Sequence, residues 1–357
     1  MGSVKDLKID THPTQDKLGK GRFHFTDSYS VFDWGRMPDE IENKGKSLCT
    51  MGAFNFELLE AASIPTHYRG VVEDGEVKYL DDLDGPSDEM AVFLAEVPEL
   101  SYEGSEYDYG SFHQEAGETY LIPLEIVFRN AVPPESSFRD RYSPEDLNID
   151  LEEWPDGNYE LQDPVVEYST KFEEKDRYLS EEEARSISGL GDELKKVEDI
   201  AHHVNEVVTE HSDDVGFVHV DGKIECVYHQ GDVLVADVVG TFDENRFLYS
   251  PEQKHDFVQF TQHKPPSDAP RKQISKEFLR KYYREYDSEW VGSVKDAKQE
   301  AEEQGVEDWR SLCGVDPKPL PGDVATTASR LYTAGANLYT GEKWFDAPHL
   351  SEVVDKI

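Results

Sequence analysis

A chain of 357 residues has room for roughly two domains of ordinary size, each with its own core, so a small disulfide-stapled module is excluded. Its 76 Asp and Glu against 36 Lys and Arg give a formal net charge of −40, yet 5 Trp, 18 Tyr, 17 Phe and compact runs such as Leu121–Phe128 exclude a disordered acidic tail. The same charge opposes a nucleic-acid backbone or an anionic bilayer, since either partner needs a basic stripe that this sequence lacks. At molar salt the Debye length falls to about 3 Å and repulsion among carboxylates is largely screened, which points to a salt-accumulating cytoplasm. Cys49, Cys226 and Cys313 are odd in number and far apart, so they suggest neither a disulfide framework nor a zinc site. No apolar stretch approaches the ~18 residues of a membrane span, and the first residues lack a signal-peptide core, so the expected location is the cytoplasm.

Residues 1–120 read as short strands and turns with one helix, roughly Thr50 to Ala62, where Met51, Phe54, Leu58 and Leu59 recur at helical spacing. The acidic, aromatic stretch Ser101 to Ser111 reads as a surface loop. Ser180 and Glu183 form a capping box at the start of a helix that Gly189 and Gly191 interrupt. Beyond the break, Leu194, Val197, Ala201, Val204 and Val208 make one apolar stripe. His202 and His203, about 100° apart on that helix, read as part of its solvated face rather than as metal ligands. Phe217 to Tyr228 and Asp232 to Val239 then form a predicted hairpin around His229-Gln230-Gly231. A long polar loop is expected over 250–275, a helix over Ser275 to Arg284, and a last amphipathic helix from Val324 to Tyr339 stopped by Gly341.

Chemistry concentrates in the hairpin. Strict alternation puts Val218, Val220, Ile224 and Cys226 on one face and His219, Asp221, Lys223 and Glu225 on the other. Taken alone, the strand is better explained as an outward face of charges paired across the sheet. The partner strand, Val233 to Val239, is almost wholly apolar, so its one carboxylate, Asp237, needs a cation or donors. With a three-residue turn and Gly231 left-handed, Asp237 lies opposite Lys223 on the face of Glu225. Two hard oxygen ligands beside a lysine make a place for Mg²⁺ and a polyphosphate. A metal site from His219, Glu225 and His229 is a third, more remote reading. In so acidic a chain, cations in glycine turns and at strand ends also need a reason, and Gly19-Lys20-Gly21-Arg22, Lys44-Gly45-Lys46 and Arg129-Asn130 together suggest a polyanionic small molecule.

These residues stand in a familiar order: Gly19 to Arg22, Ser30-Val-Phe-Asp33, Asn43-Lys-Gly45, Leu121 to Asn130, Ser169-Thr-Lys171, Asp221-x-Lys-x-Glu225, Val233 to Asp237, Asp243-x-x-Arg246 and Lys276 to Arg280. The chain resembles the SAICAR synthetase family over nearly its whole length. The resemblance implies an α+β fold with a small N-terminal β-rich lobe (1–120), a larger ATP-grasp-like lobe (121–290) and a C-terminal helical extension (291–357). It implies ligation of L-aspartate to the carboxylate of an aminoimidazole ribonucleotide with conversion of ATP to ADP and phosphate. On that resemblance Lys20 and Arg22 would contact ATP phosphates, Leu124 and Glu125 would border the adenine, and Glu225 and Asp237 would hold Mg²⁺. Asp221, Lys223 and Arg246 would serve the reaction itself, while Arg129, Ser137, Lys171, Asp176 and Arg280 would meet the other substrates. The partners implied are small molecules, with a homo-oligomer left open. The loop Ala131 to Ser137, Val238 after Asp237, and Gly240 to Asp243 depart from the family pattern on the substrate side. A paralogous ligase with another acceptor and a non-catalytic acidic binding protein therefore stay open as alternatives.

Overall fold

The computed structural model describes residues 4–103, 106–134, 136–174, 176–249, 271–306 and 308–357. Two antiparallel sheets carry the fold. The first joins β1 (Lys5–Thr11), β2 (Gly19–Phe25), β3 (Tyr68–Glu73), β4 (Glu76–Lys78) and β5 (Glu89–Leu94) in the order β1-β2-β5-β3-β4. Its apolar face packs on helix α1 (Lys44–Ala61), whose Leu48, Met51, Phe56 and Leu59 are buried. The helix begins earlier than Thr50 because its cap is not local. Asp27 accepts hydrogen bonds from the backbone N–H groups of Asn43 at 3.1 Å and Gly45 at 2.9 Å, which occupies donors the helix cannot pair itself. A side chain at Gly45 would collide with the Phe25 carbonyl, whose oxygen lies 2.3 Å from the position a Cβ would take.

Ser101 to Ser111 is not a plain loop. It holds the short strands β6 (Tyr102–Glu103) and β7 (Glu106–Tyr107) and the start of α2 (Tyr109–Ala116), where Asp108 accepts from the Ser111 amide at 2.9 Å. The second sheet contains β8 (Thr119–Leu121), β9 (Leu124–Val132), β10 (Tyr159–Thr170), β11 (Tyr178–Leu179), β12 (Phe217–His229), β13 (Asp232–Ala236), β14 (Asn245–Tyr249) and β15 (Lys272–Gln273). Its main path is β11-β10-β9-β12-β14-β15, with β8 and β13 pairing the far half of β12. A short helix, α3 (Phe138–Arg141), follows β9. The predicted capping box opens α4 (Glu181–Ser188), left-handed Gly189 ends it, and the apolar stripe of α5 (Leu194–Asp214) is buried as expected.

Of the expected polar loop, 250–270 lies outside the described residues. The chain then runs through α6 (Glu277–Tyr286), α7 (Ser288–Gln304), α8 (Gly322–Thr340) and α9 (Leu350–Val354). Sequence reasoning did not single out α7, although Trp290, Val294, Ala297 and Ala301 form its buried stripe, because eleven polar or charged positions surround those four, which are mostly small. Among the described residues no helix is long and apolar enough to cross a membrane, and all three cysteines are free.

One buried ion pair ties these layers together. Lys44, in the first turn of α1, donates to Asp243 at 2.7 Å, and Tyr332 of α8 donates to the other oxygen at 2.7 Å. Lys44 therefore serves the interior and is not a cation offered to a ligand, which removes it from the cations read as suggesting a polyanionic small molecule. Replacing Lys44 by Met should leave Asp243 buried without its cation and cost about 3–5 kcal/mol, read as a lowered denaturation midpoint in urea.

Candidate active site

The site is built on β12, and a bulge decides which side chains it presents. His219 pairs with Phe247 of β14 and Asp221 pairs with Arg246, so Val220 has no partner. The extra residue reverses the alternation. Before it, Phe217 and His219 face the main core, while Val218 and Val220 pack with Ala131 and Leu248 in a separate small cluster. After it, Ile224 and Cys226 enter the core and Asp221, Lys223 and Glu225 turn to the opposite face. His219 thus does not share the face of Asp221, and Val220 does not share that of Ile224. Its ring nitrogens are hydrogen-bonded to Thr209 and Asn245, each at 2.8 Å, between the rings of Phe128 and Phe247. His229 is bonded to the Thr119 hydroxyl at 2.9 Å, so the histidine metal site has no geometric basis.

The turn also differs from expectation. His229 pairs with Asp232, leaving a two-residue turn of Gln230 and Gly231 with φ of 52° and 99°, the double left-handed geometry that suits a tight hairpin. Glu225 therefore faces Ala236, and the strand ends there. Asp237 is not opposite Lys223. It takes a left-handed conformation with φ of 64°, and its carbonyl lies 3.2 Å from the Nε2 atom of His67.

At one end of the charged face lysines sit on carboxylates. Lys171, at the end of β10, contacts Glu225 and lies 3.8 Å from Glu125. Lys223 lies 2.8 Å from Glu125 and 3.6 Å from Glu244, and Lys5 of β1 contacts Asp237. Burial, and then the charge of Asp237, pushes the Glu225 carboxyl up to about 7 against the pull of Lys171 and Lys5. Burial would raise Asp237 too, but Lys5 first, with Lys171 and Lys223, holds it below the usual range. Among the described residues no cluster of three or more His, Cys, Asp and Glu is placed to hold a metal ion, and Glu225 and Asp237 are a pair of carboxylates. That suffices for an ion that also takes phosphate oxygens, and ammonium groups already in contact with both carboxylates mark them as cation sites.

At the other end a carboxylate is clamped between arginines. Asp221 accepts from Arg246 on one side, at 2.7 Å to Nε, and from Arg129 on the other at 3.0 Å, so it positions two cations and has no free edge for substrate. Arg129 also donates to Glu167 at 2.5 Å. Glu167 in turn accepts from Arg141 at 2.7 Å, and the Arg141 guanidinium lies 3.4 Å above the Tyr178 ring. Ser137 accepts from Arg141 at 3.1 Å and so stands at this arginine end. Arg141, Glu167, Glu244 and Lys5 escaped the sequence reading. Scarcity of cations was a usable signal for Arg141, but Lys5 lies 232 residues from its partner and gave none.

Other expected residues fall differently. Leu124 is buried in the core, leaving Glu125 of that pair on the site face. Partial burial, and then Glu125, raises Asp176 above the usual carboxylate range, with Lys223 and Lys171 opposing. Arg280 pairs with Glu277 at 3.0 Å on α6. Arg22 is engaged by Asp10 at 3.0 Å and Glu89 at 3.3 Å, and Lys20 is exposed with no ion pair among the described residues. Neither joins the lysine and carboxylate cluster.

The family model described as SAICAR synthetase matches residues 8–297. A putative phosphoribosylaminoimidazole-succinocarboxamide synthase of Archaeoglobus fulgidus is 40% identical over 364 residues, covering 100% of this chain and 98% of its own. Among solved structures, the SAICAR synthase of Saccharomyces cerevisiae complexed with SAICAR superposes with a TM-score of 0.60 at 19% identity, over 96% of this chain and 94% of that one. A type-2 SAICAR synthetase in complex with ADP gives 0.54 at 22% identity, over 89% and 99%. At those identities the likeness to solved structures is one of fold.

Two outcomes test this geometry. Asp221→Asn should free both arginines from a shared charge and lower stability by about 3 kcal/mol, read by urea denaturation. His219, held neutral by burial, has its folded pKa depressed from 6.5 to about 4. Its contribution to stability is complete above pH 6.5 and is lost as pH falls toward 4, because the unfolded chain takes up a proton that the folded ring refuses. His219→Gln should therefore remove about 3 kcal/mol of the acid-side loss seen in denaturation midpoints between those limits, and an unchanged pH slope would refute it.

Proposed function

The chain belongs to the SAICAR synthetase family, and on that premise we propose that it joins L-aspartate to the carboxylate of carboxyaminoimidazole ribonucleotide. ATP is converted to ADP and phosphate, and Mg²⁺ is held by Glu225 and Asp237. The observation that carries the reading is the division of one sheet face into a lysine and carboxylate end and an arginine end, since the reaction brings together a metal-bound polyphosphate and a phosphorylated, carboxylated nucleotide.

A carboxylate is a poor acyl donor. The reaction first moves the γ-phosphoryl group to a carboxylate oxygen, breaking the bond to ADP as the new P–O bond forms. The aspartate amine then attacks the acyl carbon, phosphate departs with the bonding pair, and the amine loses a proton. Mg²⁺ bound at the two carboxylates would offset charge on the polyphosphate. Lys223 stays protonated despite burial because Glu244, Glu125 and Glu225 surround it, so it supplies a fixed positive charge beside the transferring group. Arg129 and Arg246, locked on Asp221, meet the ribonucleotide's anionic groups without reorganising. Ser137 and Arg141 extend that end. Lys20, exposed on β2, is that strand's cation available to a polyphosphate, while Arg22 serves the first sheet.

The assay is ADP release in molar KCl. Release should require both aspartate and the aminoimidazole carboxylate, and release that persists without either one sinks the reading. Glu225→Gln should lower turnover by at least about 100-fold while the denaturation midpoint moves little, and EDTA should abolish turnover reversibly.

A further inference from the structure

Lys5 precedes the residues 8–297 matched by the family model and carries none of the roles that the resemblance assigns. It lies on β1, an edge strand whose other side chains are mostly exposed. Its own side chain is only 16% exposed, reaches across to Asp237, and carries its ammonium 5.0 Å from the centre of the Phe23 ring. The backbone fixes this placement. Lys5 pairs with Phe25, and the Val4 carbonyl accepts from the Thr26 amide at 3.0 Å. Lys171, the ammonium on Glu225, belongs to the second sheet itself, whereas Lys5 is brought to the site by a strand from the other sheet.

We propose that Lys5 is a built-in stand-in for the divalent cation at Asp237, so that loading the metal must displace an ammonium carried on the N-terminal strand. The proposal rests on Asp237 being a metal ligand. Its logic is competition: Lys5 holds the carboxylate oxygen Oδ1, and a divalent ion drawn to the same carboxylate meets the ammonium's like charge at close range. Until the metal arrives, Lys5 keeps a partly buried carboxylate from lying unpaired. Once it does, β1 loses an anchor to the second sheet. Metal occupancy is thereby coupled to the seating of the first strand.

The test titrates Mn²⁺ into nucleotide-free protein in KCl, with free ion followed by electron paramagnetic resonance. Lys5→Met should bind Mn²⁺ about tenfold more tightly than wild type, equivalent to about 1.4 kcal/mol, and Asp237→Asn should lose binding. Unchanged or weaker binding in Lys5→Met overturns the stand-in while leaving the metal reading intact. Binding retained by Asp237→Asn overturns both. A measurement on the wild type decides independently of whether the variant folds: amide hydrogen exchange in Lys5 to Ile9 should accelerate when Mn²⁺ is added, and slowed or unaltered exchange refutes the displacement.

Discussion

Val220 has no partner on β14, and the rest of the site depends on that unpaired residue. A strand's side chains alternate with a period of two, so an extra residue transfers everything beyond it to the other face. With uninterrupted pairing, Asp221, Lys223 and Glu225 would point toward Ile126 and Phe128, and three charges would enter an apolar core at several kcal/mol each. Gly222, Ile224 and Cys226 would turn outward instead. The sequence enforces the observed choice at Gly222, where a Cβ would lie 2.1 Å from the Asn245 amide and 2.6 Å from the Phe128 ring. Only glycine lets β12 approach β14 and the core so closely just past the bulge.

The charges so presented arrive paired. Lys5, Lys171 and Lys223 sit on carboxylates at one end, and Arg129, Arg141 and Arg246 do so at the other. Pairs of this kind contribute little net stability when they are buried, because desolvation takes back most of the Coulomb gain. Their use lies in holding charged side chains in defined places before ligands arrive. A ligand anion can take the cation and a ligand cation the carboxylate, at a lower cost than ordering free side chains on binding. In a chain of net charge −40, six of its 36 Lys and Arg gather at this one site.

How much of this was legible follows the range of the forces involved. Local signals were read correctly: the Ser180 capping box, the α5 stripe, and the Asp221, Lys223 and Glu225 alternation, which lies wholly beyond the bulge. What failed depended on partners distant in sequence. The start of α1 is set by Asp27, the fate of Lys44 by Asp243, and the charge state of Asp237 by Lys5. The bulge itself leaves no mark in a run as uniform as Val-His-Val-Asp, since both registers place valines and polar residues alternately. Even the turn was decided by one residue: Gln230 in a left-handed conformation shortens the hairpin and shifts its register, although glutamine has no special preference for that region.

That shift explains why the lysine and carboxylate end forms where it does. β12 changes neighbours along its length, pairing with β14 through Gly222 and with β13 from Glu225 onward. Lys223 and Ile224 are paired with β9 alone, on one edge. Opposite them the sheet divides, and the segment joining the end of β13 to the start of β14 carries Asp237 at its first residue and Glu244 at its last. Had the strand continued in register, Asp237 would have been one more rung of the ladder. By leaving in a left-handed turn held by His67, at a cost of about 1 kcal/mol for a non-glycine residue, it stays near Glu225 without pairing to β12. The split in the sheet and the strained residue at its lip are therefore one feature: the backbone gives up hydrogen-bonded pairing beside Lys223, and Glu225 on β12 and Asp237 just past β13 converge beside the gap.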